Sequence, residues 1–240
     1  ALDASLLLAR GEQQLALAND AGDRVEEFNP FSWQLFRCFN AFPAVLDRHV
    51  TEFFPQFYAE GSYFGKTLGA DAFSFEGTIA YGDRAYVQMQ EDAFSANSLP
   101  DDYFTRLDGE HEQVIEIIES IRRADGRCYS VNLPNHGQAP NLPEDAIVEC
   151  PAVACADGLQ PIPLAPVSPG IAGTLATRFA WVETVVDAAL EGNREKVVQA
   201  LVLDGAVRSM ETSVQLADEL LAAQAGYLPW FRPVGGCSRP

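Results

Sequence analysis

Val114, Ile117, Ile118 and Ile121 recur at i, i+3, i+4 and i+7, and this one apolar stripe constrains the chain more than any other feature. It predicts a helix over 110–124. Glu110 and Glu112 stand near its start and Arg122 and Arg123 near its end, the order that the helix dipole favours, and Gly126 supplies a stop. Two strand-like runs follow, 127–133 and 146–154. Turn formers join them, among them Pro134, Asn135, Gly137, Asn141 and Pro143. A third short strand is expected over 159–164, after the Asp157-Gly158 turn. Strands that succeed one another in this way make a small local sheet, with helices gathered on either side in sequence. The predicted class is α+β, mixed helices with a small sheet.

The flanks agree with that class. Residues 2–10 read as a short apolar helix and 11–27 as a polar, acidic stretch. Pro30 can start the next helix, with Ser32 as its N-cap ahead of Trp33, Leu35, Phe36 and Phe39, and Pro43 ends or kinks it. Three further helices are expected over 170–191, 194–203 and 210–225. Residues 61–102 differ: five glycines fall among many aromatics with little helical period. They read as a loop-rich insertion carrying a short strand at 85–89. Such a segment serves as a lid, a subunit contact or plain surface decoration.

Composition excludes more than it assigns. The 16 basic and 34 acidic residues give a net charge of −18, which opposes nucleic-acid binding because phosphates repel an acidic surface. No run of 18 apolar residues implies a membrane span. The five cysteines are odd in number and irregular in spacing, the pattern of reduced thiols in a cytoplasmic protein, and no CxxC pair supports structural zinc. No glycine-rich phosphate loop lies between a strand and a helix.

Two clusters carry candidate chemistry. Asp47, Arg48, His49 and Glu52 fall within six positions, and in a helix His49 and Glu52 share a face. They suit acid/base work or a grip on hydroxyls. They equally suit a capping carboxylate beside a solvated ion pair. The loop from Asn132 through Asn135 to Gln138 offers amides that donate and accept at once, as sugar hydroxyls require; the same amides also cap turns.

At these residues the chain resembles the C-terminal domain of glycoside hydrolase family 4. The likeness rests on Asn132-x-x-Asn135-x-Gly137, the run from Asn141 to Glu149, Asp157-Gly158-Leu159-Gln160-Pro161, and Gln199 through Asp204. Gly226-Tyr227-Leu228-Pro229 closes it. Arg48-His49-x-x-Glu52-Phe53-x-Pro55 is similar to a stretch of the α-galactosidase branch, which favours an unphosphorylated α-galactoside or uronate as substrate.

The resemblance implies a hydrolase of O-glycosyl bonds with NAD and a divalent metal, usually manganese. In that family NAD takes hydride from the sugar C3, a base removes the acidified C2 proton, the glycosidic oxygen is eliminated, water adds and hydride returns. By the same resemblance Asp47 is the candidate base, while Arg48, His49, Glu52, Asn132 and Asn135 are candidate sugar-binding residues. The Rossmann domain and the metal-binding Cys and His motifs are expected upstream of Ala1. The chain alone is therefore expected to bind neither NAD nor manganese and to lack glycosidase activity. Its partners would be a glycoside and either the nucleotide-binding half or a second copy, met through the aromatic segments 33–39 and 53–58. Asp47, His49 and Glu52 are expected to gather with Asn132 and Asn135. The alternative is a non-catalytic carbohydrate-binding or interaction module.

Overall fold

A computed structural model of the protein describes residues 4–58, 61–99, 103 and 113–231. In chain order its elements are α1 (Ala4–Ala21), α2 (Pro30–Phe39), α3 (Asp47–Val50), β1 (Ser62–Tyr63), β2 (Lys66–Thr67), α4 (Phe75–Phe94) and α5 (Val114–Arg123). Then come β3 (Cys128–Pro134), β4 (Ile147–Cys155), β5 (Gly158–Pro161), α6 (Pro169–Glu191), α7 (Arg194–Asp204) and α8 (Met210–Ala223). The chain divides into two compact units, one made of Ala1–Gly65 with Ser168–Pro240 and the other of Lys66–Val167.

In the first unit α1 packs on α2, α6 on α7 and α7 on α8. Helix α1 runs well beyond the short helix expected from its apolar start, because Glu12 through Ala18 are good helix formers. Gly11 stays helical for a packing reason: a Cβ there would lie 2.8 Å from Cε3 of Trp33. The core is built from Phe31, Leu35 and Val50, with Phe39, Phe54 and Tyr58 against it. The Phe31 ring meets those of Phe54 and Tyr58 edge-on at 5.5 and 5.1 Å, the geometry that the ring quadrupoles prefer. Leu35 and Phe36, expected on a partner-facing surface, are buried here, whereas Phe57 is 64% exposed.

Helices α6, α7 and α8 begin at side-chain caps on Ser168, Asn193 and Ser209, so their starts are written in local sequence. Arg194 of α7 grips Asp218 of α8 with Nε–Oδ1 and Nη2–Oδ2 distances of 2.6 and 2.8 Å, and Lys196 reaches back to Asp187 and Glu191 of α6. These hydrogen bonds from Arg194 and Lys196 hold the Asp218 and Glu191 carboxyls below the usual carboxylate range.

In the second unit β3, β4 and β5 form an antiparallel sheet in that order, with Asn132 opposite Glu149 and Val153 opposite Gln160. Helix α5 packs on β4. Its stripe is only partly used, since Val114 and Ile118 remain 52% and 48% exposed. The helix ends at Ala124, whose left-handed backbone returns its N–H to Ile121 and Ser120, two residues before the glycine expected to stop it. The expected start at 110–112 lies outside the described residues.

The largest departure from expectation is α4. Where a loop-rich insertion with a strand at 85–89 was predicted, residues 75–94 form a 20-residue helix. Ser74 caps it by accepting from the Gly77 amide at 3.1 Å. Gly77 follows that cap in the first turn, and Gly82 costs only about 1 kcal/mol in a helix interior. Four polar helix formers, Gln88, Gln90, Glu91 and Arg84, support the rest.

Candidate functional site

The Asp47–Glu52 segment lies in the first unit and splits into an inner and an outer set. Helix α3 turns Asp47, Val50 and Thr51 inward, all three buried, and leaves Arg48, His49 and Glu52 exposed. Asp47 is fully buried. Its Oδ1 accepts from the Ser32 amide at 2.7 Å and the Ser32 hydroxyl at 2.6 Å. Its Oδ2 accepts from the Phe31 amide at 2.9 Å and the Tyr63 hydroxyl at 2.7 Å.

The geometry explains how α2 begins. Pro30 occupies its first position, and Asn29 before it is left-handed at φ 49° with no side-chain cap bond. The orphan amides of the first turn are satisfied instead by a carboxylate from 15 and 16 residues downstream. Ser32, expected as the N-cap, sits inside the helix and adds its hydroxyl to the same carboxylate. Burial, and the hydrogen bond to Asp47, push the Tyr63 phenol well above its ordinary range. Burial, with the nearby Asp47 charge, does the same to Tyr58. Tyr63 is thus held as a neutral donor, and the four donors occupy both oxygens of Asp47.

On the outer face His49 Nδ1 lies 3.4 Å from Glu52 Oε1, so the pair shares a face as its spacing implies. Beside it stands a residue that sequence reasoning did not single out. Arg178 of α6 donates to the Glu52 backbone carbonyl and, from Nη1, to Asp204 Oδ1 at 2.9 Å. Its guanidinium also stacks over Phe53 and Trp181, 5.1 and 5.6 Å from their ring centroids. With Gln56, Thr174 and Thr177, the side chains of Arg178, Phe53 and Asp204 line a polar pocket of about 340 Å³. An apolar groove of about 260 Å³ opens nearby, lined by Phe39, Phe42, Val45, Phe54 and Leu175 among others. No local signal links Arg178 to Glu52, which is 126 residues away.

Asn132 and Asn135 belong to the second unit. Asn132 is exposed on β3. Asn135 is buried, and its side chain organises the β3–β4 loop. Nδ2 donates to the carbonyls of Ala139, Leu142 and Pro143 at 2.9, 3.1 and 2.8 Å, and Oδ1 accepts from the amides of Gly137 and Ala139. Gln138 repeats the device, donating to the Pro134 carbonyl and accepting from the His136 amide, both at 2.7 Å. Asn141 forms a reciprocal pair with the Val167 backbone. The loop's amides thus mostly satisfy backbone groups, whereas Asn132, on β3, is exposed.

Among the described residues no group of three or more His, Cys, Asp or Glu side chains could hold a metal ion. Cys38, Cys128, Cys150 and Cys155 are free thiols. No helix among the described residues is long and apolar enough to cross a membrane.

Helices in both units and a small antiparallel sheet in the second make this an α+β fold, the class that the sequence predicts. Residues 6–207 match the family described as "Family 4 glycosyl hydrolase C-terminal domain", and the chain belongs to that family.

The chain is 31% identical over 122 residues to an alpha-glucosidase of Erwinia rhapontici, covering 50% of this chain and 27% of that protein. It is 27% identical over 201 residues to an alpha-galacturonidase of Lachnoclostridium phytofermentans, covering 82% and 42%. An alpha-galactosidase of Rhizobium meliloti matches at 23% over 237 residues, 92% of this chain and 46% of that protein. The chain thus spans less than half the length of each of these relatives.

Among solved structures, a 6-phospho-alpha-glucosidase from gut microorganisms in complex with NAD and glucose-6-phosphate superposes with a TM-score of 0.63 at 20% identity, over 83% of this chain and 44% of that one. A 6-phospho-alpha-glucosidase from the same source in complex with NAD and Mn2+ gives 0.57 at 16%, over the same shares. These two likenesses show the fold.

Proposed function

We propose that this chain is the substrate-binding portion of an NAD- and divalent-metal-dependent glycosidase that cleaves O-glycosyl bonds, and that it is inactive by itself. The family match over residues 6–207 carries this reading. The residues at hand fit neither cofactor. No strand–glycine loop–helix is present for a pyrophosphate, and the described residues offer no three-donor metal cluster. NAD and manganese are accordingly assigned to a nucleotide-binding half outside these residues, and no step is routed through them here.

The chain's own contribution is recognition. Arg48, His49 and Glu52 present charged and hydrogen-bonding groups on one exposed edge, suited to sugar hydroxyls or a sugar carboxylate. Asn132 supplies a further exposed amide in the other unit. Asp47 is assigned to positioning: a base must have a lone pair within reach of the proton, and both Asp47 oxygens are engaged. The C2 base therefore falls to another residue. An unphosphorylated α-galactoside or galacturonide is the favoured substrate class. The longer alignments, over 201 and 237 residues, are with an alpha-galacturonidase and an alpha-galactosidase.

The test is direct. The purified chain is titrated by ligand-observed NMR with galacturonate, methyl α-galactoside and glucose 6-phosphate, and separately with NAD. Millimolar binding of the first or second, lost in Arg48→Ala and Glu52→Gln, is expected, with no NAD binding. NAD binding by the chain, or turnover of any nitrophenyl glycoside with NAD and manganese supplied, would overturn the reading.

A further inference from the structure

Two cavities of the first unit share a wall. The apolar groove and the polar pocket are both lined by Phe53, Phe54 and Thr174. Their chemistry is opposite. Along the groove stand Phe39, Phe42, Val45, Val50, Ile171 and Leu175. Among the described residues its one polar lining side chain is Thr174, whose hydroxyl donates to the Gly170 carbonyl at 3.1 Å. A hydroxylated group entering the groove would lose its water without replacement, which is costly.

The pocket offers the reverse. Gln56 supplies an exposed amide that can donate and accept. Thr177 gives its proton to the Gly173 carbonyl at 3.2 Å, which leaves its oxygen lone pairs to accept from a ligand hydroxyl. Arg178 and Asp204, the charged residues of the lining, pair at 2.9 Å, so the cation is already neutralised. A phosphate or carboxylate head would meet the Asp204 charge, whereas a neutral polyol can donate to it and accept from its neighbours.

We propose that the two cavities form one site for a neutral glycoside with an apolar aglycone. The sugar lies in the pocket beside Arg178 and Asp204, and an aryl or alkyl group lies in the groove. At about 340 and 260 Å³ the cavities together fall within the range of small-molecule sites, roughly 300–1,000 Å³. This deepens the glycosidase reading and rests on it: Glu52, on the sugar-binding edge, stands directly before Phe53, and its carbonyl accepts from Arg178. The reading is narrowed in two ways. A second sugar would find no hydroxyl partners in the groove, and a galacturonide would bring its carboxylate to Asp204.

Calorimetric titration of the 240-residue chain with five probes tests this: phenyl α-galactoside, methyl α-galactoside, melibiose, galacturonate and phenol. Burial of the phenyl ring should make the first bind at least about tenfold more tightly than the second. Melibiose and galacturonate should bind no more tightly than methyl α-galactoside, and phenol more weakly than its glycoside. Leu175→Trp, which fills the groove, should cut the phenyl advantage to less than about twofold and leave the methyl glycoside unaffected. Val45→Trp, at a position 44% exposed, repeats that test from the loop before α3 if Leu175→Trp fails to fold by circular dichroism. Thr177→Val should weaken both galactosides alike and leave phenol unchanged. Equal affinity for the phenyl and methyl glycosides, phenol binding as tightly as its glycoside, tighter binding of melibiose or galacturonate than of methyl α-galactoside, or no binding of the phenyl glycoside would each overturn the proposal. The two readings fail separately. NAD binding or turnover by the chain would sink the glycosidase reading without changing the affinity ratio. A methyl galactoside that binds through Arg48 and Glu52, with no gain from the phenyl group, would sink this inference alone.

Discussion

Replacing Asp47 with asparagine separates an anchor from a base by stability alone. The carboxylate is fully buried and accepts four hydrogen bonds of 2.6 to 2.9 Å. Asparagine keeps the shape but only one oxygen. If that oxygen stays on the Ser32 side, both Ser32 bonds survive, and Tyr63 can rotate to accept from the new amide. The Phe31 N–H then faces a donor and is left unsatisfied, which costs about 1–3 kcal/mol. The charge at the N-terminus of α2 is lost as well, worth up to about 2 kcal/mol in a partly buried site.

The sum is about 3 kcal/mol, a large part of the roughly 5–15 kcal/mol that holds a typical protein folded. Trp33, Trp181 and Trp230 all lie in the first unit, so tryptophan fluorescence during urea unfolding reports that unit. With a urea slope of about 1–3 kcal/mol per molar, the midpoint should fall by roughly 1–3 M. Ser32→Ala, which deletes one donor, should cost about 1 kcal/mol. A midpoint within about 0.3 M of the parent in Asp47→Asn, at unchanged slope, would refute the anchor and return Asp47 to the candidates for the base.

Two further outcomes follow from other buried groups. Asn135→Ala removes five hydrogen bonds and should cost about 2–3 kcal/mol. The Gly137 and Ala139 amides should then exchange with deuterium at least tenfold faster, and unchanged exchange would show that the loop holds itself. The raised phenol pKa of Tyr63 means that, above the ordinary value of about 10, the unfolded chain releases a proton that the folded one keeps. Stability from this group is therefore full below that pH and falls as pH rises beyond it. Urea midpoints at pH 9 and 10.5 should show the drop, and Tyr63→Phe should reduce it but not abolish it, because Tyr58, raised in the same sense, adds its own share.

What was legible in the sequence was what is locally encoded. The strands flank turn formers, and α6, α7 and α8 start at Ser168, Asn193 and Ser209, caps that stand directly before their helices. Helix α4 was missed because its glycines and aromatics suggested a loop. Ser32 was read as a cap because it precedes an aromatic run. Which residue caps α2 is decided by a carboxylate 15 residues on, which no local pattern announces. Arg178 was invisible for the same reason at greater range.

The Asp47–Glu52 segment also shows why a cluster of charged residues need not be a cluster of catalytic ones. Positions 47, 50 and 51 stand at i, i+3 and i+4 and form one face of a helical turn; positions 48, 49 and 52 form the other. The first face is buried and the second exposed. Asp47 sits on the face that must find donors inside the protein, and it finds them at the start of α2 and on Tyr63. That fixes the turn against the aromatic core and thereby fixes where Arg48, His49 and Glu52 emerge. On the function proposed above, an Asp47 variant would therefore lose sugar binding without Asp47 ever touching a sugar. Activity loss in such a variant cannot distinguish a base from an anchor, whereas the urea midpoint can.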